Sequence, residues 1–287
     1  MSQVSFHIRD GITPEWCYQY LDILDRYPEA SSGKEVYELA EDYGYEVGFQ
    51  SEREVPTLLK KMEVLETATS LTDCGEELLE VMYYDMNLFS NILHHLFYTR
   101  DRIDAATGVP LKDREMSSWA YAAIIDYLID NSPYEGVSLK KSRQEISNAV
   151  YDRAQDELPS LQDEVSIGPR SVSGALQFLT ALSPSVITED THANNEDILN
   201  FEVRNFAPGE MLLLAVDARY QQTETEYGTA LILNEETVNA LCRTLILDES
   251  GLDKVLEWAS EYDQFELTSG VSRQVRLSER ITFTNLM

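Results

Sequence analysis

Cysteine, positive charge and long apolar runs are all scarce in this chain. Among its 287 residues there are three cysteines, Cys17, Cys74 and Cys242. They lie far apart with no C-x-x-C pair, so neither a disulfide framework nor a zinc ribbon is indicated. No apolar run approaches the roughly eighteen residues needed to cross a bilayer, which argues against a membrane protein. The opening residues, MSQVSFHIRD, lack the apolar core of a secretory signal, and the expectation is a cytoplasmic protein. Lysine and arginine total 22 against 51 acidic residues, a formal charge of −29. Such a surface repels a polyphosphate at low salt, but at about 1 M salt the Debye length falls to about 3 Å and the repulsion is largely screened. Acidity alone therefore does not exclude a nucleic-acid partner. It makes any basic island informative.

Catalytic signatures are equally thin. The histidines are His7, His94, His95 and His192. Adjacent residues on a helix point about 100° apart, which does not suit His94 and His95 to one shared metal. There is no H-E-x-x-H, and Gly33-Lys34 lacks the remainder of a phosphate loop. No G-x-S-x-G elbow occurs, and no cysteine has a well-placed histidine partner. No catalytic residue, cofactor or metal is expected. One weak pattern remains: Asp197 and Glu202, followed by Arg204, resemble the D…E-x-K arrangement of restriction-type nucleases, with arginine in place of lysine. With 51 acids available such pairs arise by chance, so a metal-dependent nuclease stays a remote alternative.

What the sequence does contain is helical periodicity punctuated by caps and turns. In PEWCYQYLDILDRY, Pro14 opens a helix whose apolar side carries Trp16, Tyr20, Leu21 and Leu24. Ser32 and Glu35 have capping-box spacing ahead of Val36, Leu39, Ala40 and Tyr43, and Gly44 offers a stop. Ser51 and Glu54 repeat that spacing before EVPTLLKKMEVLE, where Pro56 falls in the first or second turn. LETATSLTD reads as a β-like wing, followed by another helix. DMNLFSNILHHLFYTRDRI reads as a linking helix, with Gly108 and Pro110 marking a boundary. Helices are again expected in SSWAYAAIIDYLIDN, after Ser138, and from about Ser171 to Leu182, with VITED and ILNFEVRNF as strands. Beyond them, APGEMLLLAVDARYQQ and NEETVNALCRTLILD read as helices, although LLLAV and TLILD could be buried strand. SGLDKVLEWASEYD has a stripe of Leu252, Val255, Leu256 and Ala259, and QFELTSGVSRQVRLSERITF reads as two strands about Gly270. The division is 1–103, 104–192 and 193–287.

Basic residues gather at points along this order. Arg53, Thr57, Lys60 and Lys61 share one broad side of a helix whose other side is Val55, Leu58, Leu59 and Met62. Arg53 offers a planar fork, whereas the lysines suit mobile phosphate contacts. Lys140, Lys141 and Arg143 open a second helix, with no acid between residues 138 and 144. Arg170, Ser173 and Gln177 fall at spacings of three and four, opposite Val172, Leu176 and Leu179, and Gly174 would admit a close backbone. Near the end, strand alternation places Val275 and Leu277 on one side and Gln274, Arg276, Ser278 and Arg280 on the other, with Arg273 just before them. Each island has a plain counterpart: a solvated helix face, a solvated helix start, or a charged edge strand that resists aggregation.

Helix order, caps and charge placement together resemble tandem winged-helix proteins of halophilic archaea, over about residues 12 to 190. The acidic, lysine-poor composition points the same way. The resemblance implies a mainly α fold with small β wings, in tandem winged-helix domains joined by helical linkers. It implies a non-enzymatic protein on double-stranded DNA, with groove helices near 53–61 and 171–181, as a regulator or the DNA-engaging subunit of a complex. The alternative is a protein–protein adaptor or scaffold built from the same domains, with a protein partner or self-association. The candidate faces are only mildly basic, and a charge of −29 suits a protein partner more easily than a phosphate backbone.

Overall fold

The computed structural model describes residues 6–9, 12–45, 53–106, 116–136, 138–191, 197–270 and 272–287. The predicted caps of Ser51, the turn at Gly108 and Pro110, and His192 lie outside those residues. The chain opens with α1 (Pro14–Arg26), α2 (Gly33–Tyr43) and α3 (Glu54–Lys61). Thr13 caps α1 through the Trp16 amide, with Pro14 as first helical residue. Ser32 accepts from the Glu35 amide, and Gly44, in the left-handed region at φ +94°, ends α2. After α3, Leu65 and Leu71 form a single antiparallel bridge where the wing was expected. The Thr72 hydroxyl donates back to the Val64 carbonyl and accepts from the Gly75 amide, starting α4 (Asp73–Tyr84).

α5 (Met86–Ala106) and α6 (Ser117–Asp130) follow, then β1 (Tyr134–Glu135), α7 (Leu139–Glu157) and α8 (Pro169–Thr180). Next come β2 (Ile187–Thr191) and β3 (Asp197–Phe201), α9 (Gly209–Gln222), β4 (Leu231–Ile232), α10 (Glu235–Leu245), α11 (Glu249–Ala259), β5 (Phe265–Thr268) and β6 (Gln274–Leu277). A 3-10 turn, Phe283–Leu286, closes the chain against α4. The protein is mainly helical with small antiparallel sheets.

One arrangement occurs twice. From α6 to β3, and again from α9 to β6, the order is helix, short strand, two helices, two strands. Both sheets are antiparallel with the last strand in the middle, β1-β3-β2 and β4-β6-β5. The registers match as well: Phe201 stands between Tyr134 and Ile187, and Val275 between Leu231 and Leu267.

The helix read as a linker is an axis instead. α5 packs against α1, α4, α6, α8, α9 and α10. Its buried residues, among them Phe89, Ile92, Leu93, Phe97 and Tyr98, lie around much of its circumference, as an interior helix requires. Phe97 stacks on Tyr121 at 4.4 Å, and Phe178 of α8 packs against both. Each such ring, fully buried, contributes roughly 1.5–3 kcal/mol. The buried cluster runs continuously from Phe6 to Leu286. Both histidines of the adjacent pair are inside it. The His94 Nε2–H donates to the Thr244 carbonyl (3.2 Å) while its Nδ1 faces the Tyr121 hydroxyl (2.8 Å). Burial, then the nearby Arg204, pulls its pKa down to about 3, so the ring is neutral. No helix among the described residues is long and apolar enough to cross a membrane.

Candidate functional site

The outer face of α3 is partly as the sequence implies. Val55, Leu58, Leu59 and Met62 are buried, and Arg53, Thr57 and Lys60 are exposed. Lys61 is committed inward. Its ammonium meets Asp101 of α5 at 2.5 Å and is only 12% exposed, against 1% for its partner. Asp101 also accepts from the Trp119 amide (2.7 Å), so this lysine pins α3 to both α5 and α6.

Lys140 and Lys141 are exposed in the first turn of α7, where Ser138 accepts from the Lys141 amide. Arg143 is half-buried. On α8, Arg170 is exposed, Ser173 and Gln177 are half-buried, and Val172, Leu176 and Leu179 face the core. The close backbone that Gly174 admits is the chain's own. A Cβ at Gly174 would stand 2.6 Å from the Arg9 carbonyl oxygen. The Ser171 hydroxyl accepts from the Ile8 amide (3.3 Å) and faces His7 Nδ1 (3.1 Å). Residues Phe6 to Arg9 thus lie along α8, and the Arg9 guanidinium reaches Glu54 of α3 at 3.6 Å. Arg9 thus touches both candidate helices, its backbone at α8 and its side chain at α3.

In the terminal hairpin the strand alternation holds: Val275 and Leu277 are buried, while Arg276, Ser278 and Arg280 are exposed. Arg273 pairs with Asp253 and Arg276 with Glu266, so each has a carboxylate at hand. Arg280 lines a hollow of about 330 Å³ with Cys74, Glu77, His95 and Asp217. Burial pushes the Cys74 thiol up to about 12, which leaves it unreactive at neutral pH.

The nuclease-like trio does not converge. Arg204 is buried, donating to the Leu245 carbonyl (2.8 Å) and Asn91 Oδ1 (3.0 Å), whereas Asp197 and Glu202 are exposed. Desolvation lowers the Arg204 pKa to about 10. Its work is to tie the exit of β3 to α5 and α10. No group of three or more histidine, cysteine, aspartate or glutamate side chains is placed to hold a metal among the described residues.

A surface missing from the sequence reading lies on α11, the last helix before the second hairpin. That place corresponds to α8 in the earlier copy of the arrangement. Its outer side carries Asp253, Lys254, Glu257 and Trp258. The indole is 58% exposed and meets the edge of Phe206 at 4.9 Å. Tyr262 lies against Gly209 and donates to Glu210 (2.6 Å). Burial first, then the bond to Glu210, with smaller contributions from Glu261 and Tyr84, hold its phenol above the usual range. Tyr84 itself is 65% exposed. Part of the signal was legible: Trp258 lies off the apolar stripe of Leu252, Val255, Leu256 and Ala259, whereas Tyr262, seven residues after Val255, continues it. No protein-family model matches this chain, and neither a curated protein nor a solved structure matches it.

Proposed function

We propose that this protein is a non-enzymatic protein–protein adaptor assembled from winged-helix units. The winged-helix reading is supported by the twice-used order of helix, short strand, two helices and two strands, with the last strand central. The first segment offers three helices and one bridge in the same sense. The observation that carries the adaptor reading is the outer side of α11. Where a groove helix would present donors to phosphate and base edges, this one presents an open indole among carboxylates. Lys61, Arg273 and Arg276, three of the cations expected at a duplex, are paired with acids of the chain itself. The acidity fits a cell that accumulates salt, as halophilic archaea do. Affinity capture of the full chain at native salt, after nuclease treatment, is expected to recover a protein partner in stoichiometric amount. Recovery of the chain alone would count against the adaptor.

A second reading keeps one observation in its favour. Arg53, Thr57 and Lys60 share the exposed side of α3, and Arg9 joins that helix to α8, where Arg170 is exposed. Duplex binding through this face requires that Arg53→Ala with Lys60→Ala lower the salt slope by about one phosphate contact per lost charge. An unchanged slope in the folded double variant excludes that face. Under the adaptor reading, random and genomic duplexes show no specific binding between about 0.05 and about 0.2 M salt.

A further inference from the structure

We infer that the surface of Phe206, Trp258 and Tyr262 docks an arginine-bearing segment of the partner protein, an inference that rests on the adaptor reading. Trp258 is more than half exposed, and indole and phenol are the side chains that anchor interfaces. The surface is held firmly from beneath. A Cβ at Gly251 would stand 2.9 Å from the Asn205 carbonyl carbon, so α11 sits directly on the backbone that carries Phe206. Tyr262 is fixed by its bond to Glu210. An anchor already in place loses less freedom on binding.

Charge selects the occupant. Glu210 accepts from Tyr262, and the exposed Glu261 and Glu257 adjoin Tyr262 and Trp258 in the chain, against Lys254 on the same helix side. That field disfavours a phosphate backbone and equally a second copy of this acidic chain. It favours a cation. In concentrated salt, exposed ion pairs are screened and contribute little, so the cation must also bind by stacking. The planar guanidinium lies flat on an indole and forks onto a carboxylate, whereas an ammonium is a compact, strongly hydrated charge.

The probe is a peptide alternating arginine and leucine, titrated into the full chain by calorimetry at about 1 M potassium chloride, beside its lysine and aspartate counterparts. The arginine peptide is expected to bind best and the aspartate peptide not at all. Trp258→Ala should weaken binding about tenfold, the loss of a good anchor, while Trp258→Tyr keeps most of it. Asp152→Asn with Asp156→Asn, which removes exposed acids of α7, should change binding by less than about twofold. Equal binding by wild type and Trp258→Ala overturns the inference, as does an equal loss in the α7 variant, which would mean general attraction to an acidic surface. Trp258 is exposed, and unchanged thermal melting of its variants keeps the comparison valid. The capture experiment separates the two levels. If Trp258→Ala retains the partner that wild type recovers, this surface is wrong and the adaptor stands. If wild type recovers no partner yet the peptide binds through Trp258, the surface stands and the adaptor falls.

Discussion

At the scale of single residues, Asp126 holds more of the molecule together than any group in the candidate interfaces. It lies on α6 and accepts from Tyr98 of α5 (2.8 Å) and Arg153 of α7 (3.0 Å), with Arg102 of α5 and Arg243 of α10 beside it. Burial pushes its pKa up, but Arg102, the Tyr98 hydroxyl, Arg153 and Arg243 outweigh that and hold it below the usual carboxylate range. A folded value below the unfolded value of about 3.9 means stability that is fully present above that pH and lost as pH falls through the folded value. Asp126→Asn leaves three arginines without their shared anion, and should cost about 3–5 kcal/mol at neutral pH. Urea midpoints measured at pH 7 and at pH 3 check both parts: the variant should be weaker at 7 and lose less on acidification. Asp217 has the opposite sign. Burial raises it despite the donors Ile281, Tyr227 and Gln221. Its neutral form is favoured in the fold, so its contribution is present below the unfolded pKa and lost as pH rises through the folded one. Asp217→Asn should accordingly cost less at pH 7 than Asp126→Asn, and should flatten the stability profile above about pH 4. If the two variants were equally damaging at pH 7, the burial argument for Asp217 would fail.

At the scale of elements, Gly174 decides whether α8 is a free recognition helix or a covered one. Alanine exceeds glycine as a helix former by about 1 kcal/mol, so Gly174→Ala on an uncovered helix would stabilise the protein. With the Arg9 carbonyl where it is, the added methyl meets backbone and should instead cost about 1–3 kcal/mol. Faster amide exchange at Ile8, together with a lower melting temperature, is the expected result; a higher one would mean that residues 6 to 9 do not lie there. The sequence allowed much of this level to be read. Pro14, the Ser32–Glu35 pair and Ser138 stand at the helix starts they announced, and the strands about Gly270 are where alternation put them. β1 and β4 were not legible because two residues carry no periodicity. α5 was misjudged because a helix apolar around much of its girth has no stripe to say which neighbours it meets. The basic islands suffered from locality. Asp101 is 40 positions from Lys61, Asp253 is 20 from Arg273, and Glu266 is 10 from Arg276, so a sum over nearby sequence leaves each cation looking unopposed.

At the scale of the whole molecule, the governing quantity is the charge of −29 set against the size over which it acts. A compact chain of this length has a radius of gyration of about 19 Å. At about 0.01 M salt the Debye length is about 30 Å, so every uncompensated carboxylate feels most of the others; at about 1 M it is about 3 Å, and only immediate neighbours interact. The partly buried pairs, Lys61–Asp101 and the arginines around Asp126, are screened much less by added salt than exposed charges are. The melting temperature should therefore climb steeply with potassium chloride below about 0.1 M, where the Debye length is still about 10 Å, and level off near 1 M. Sulfate at equal ionic strength separates screening from surface exclusion: matched curves mean screening, and a rise in sulfate alone means strengthened apolar burial. A flat profile in chloride would show that the acids are spaced widely enough to ignore one another. The same titration bears on the partner. Duplex affinity through Arg53 and Lys60 must fall as counterions compete, whereas stacking on Trp258 persists once the chain's own repulsion is screened. Stability and partner binding that both hold in molar salt are what the proposed adaptor requires, whereas a duplex-binding face resting on Arg53 and Lys60 would lose the second as counterions compete.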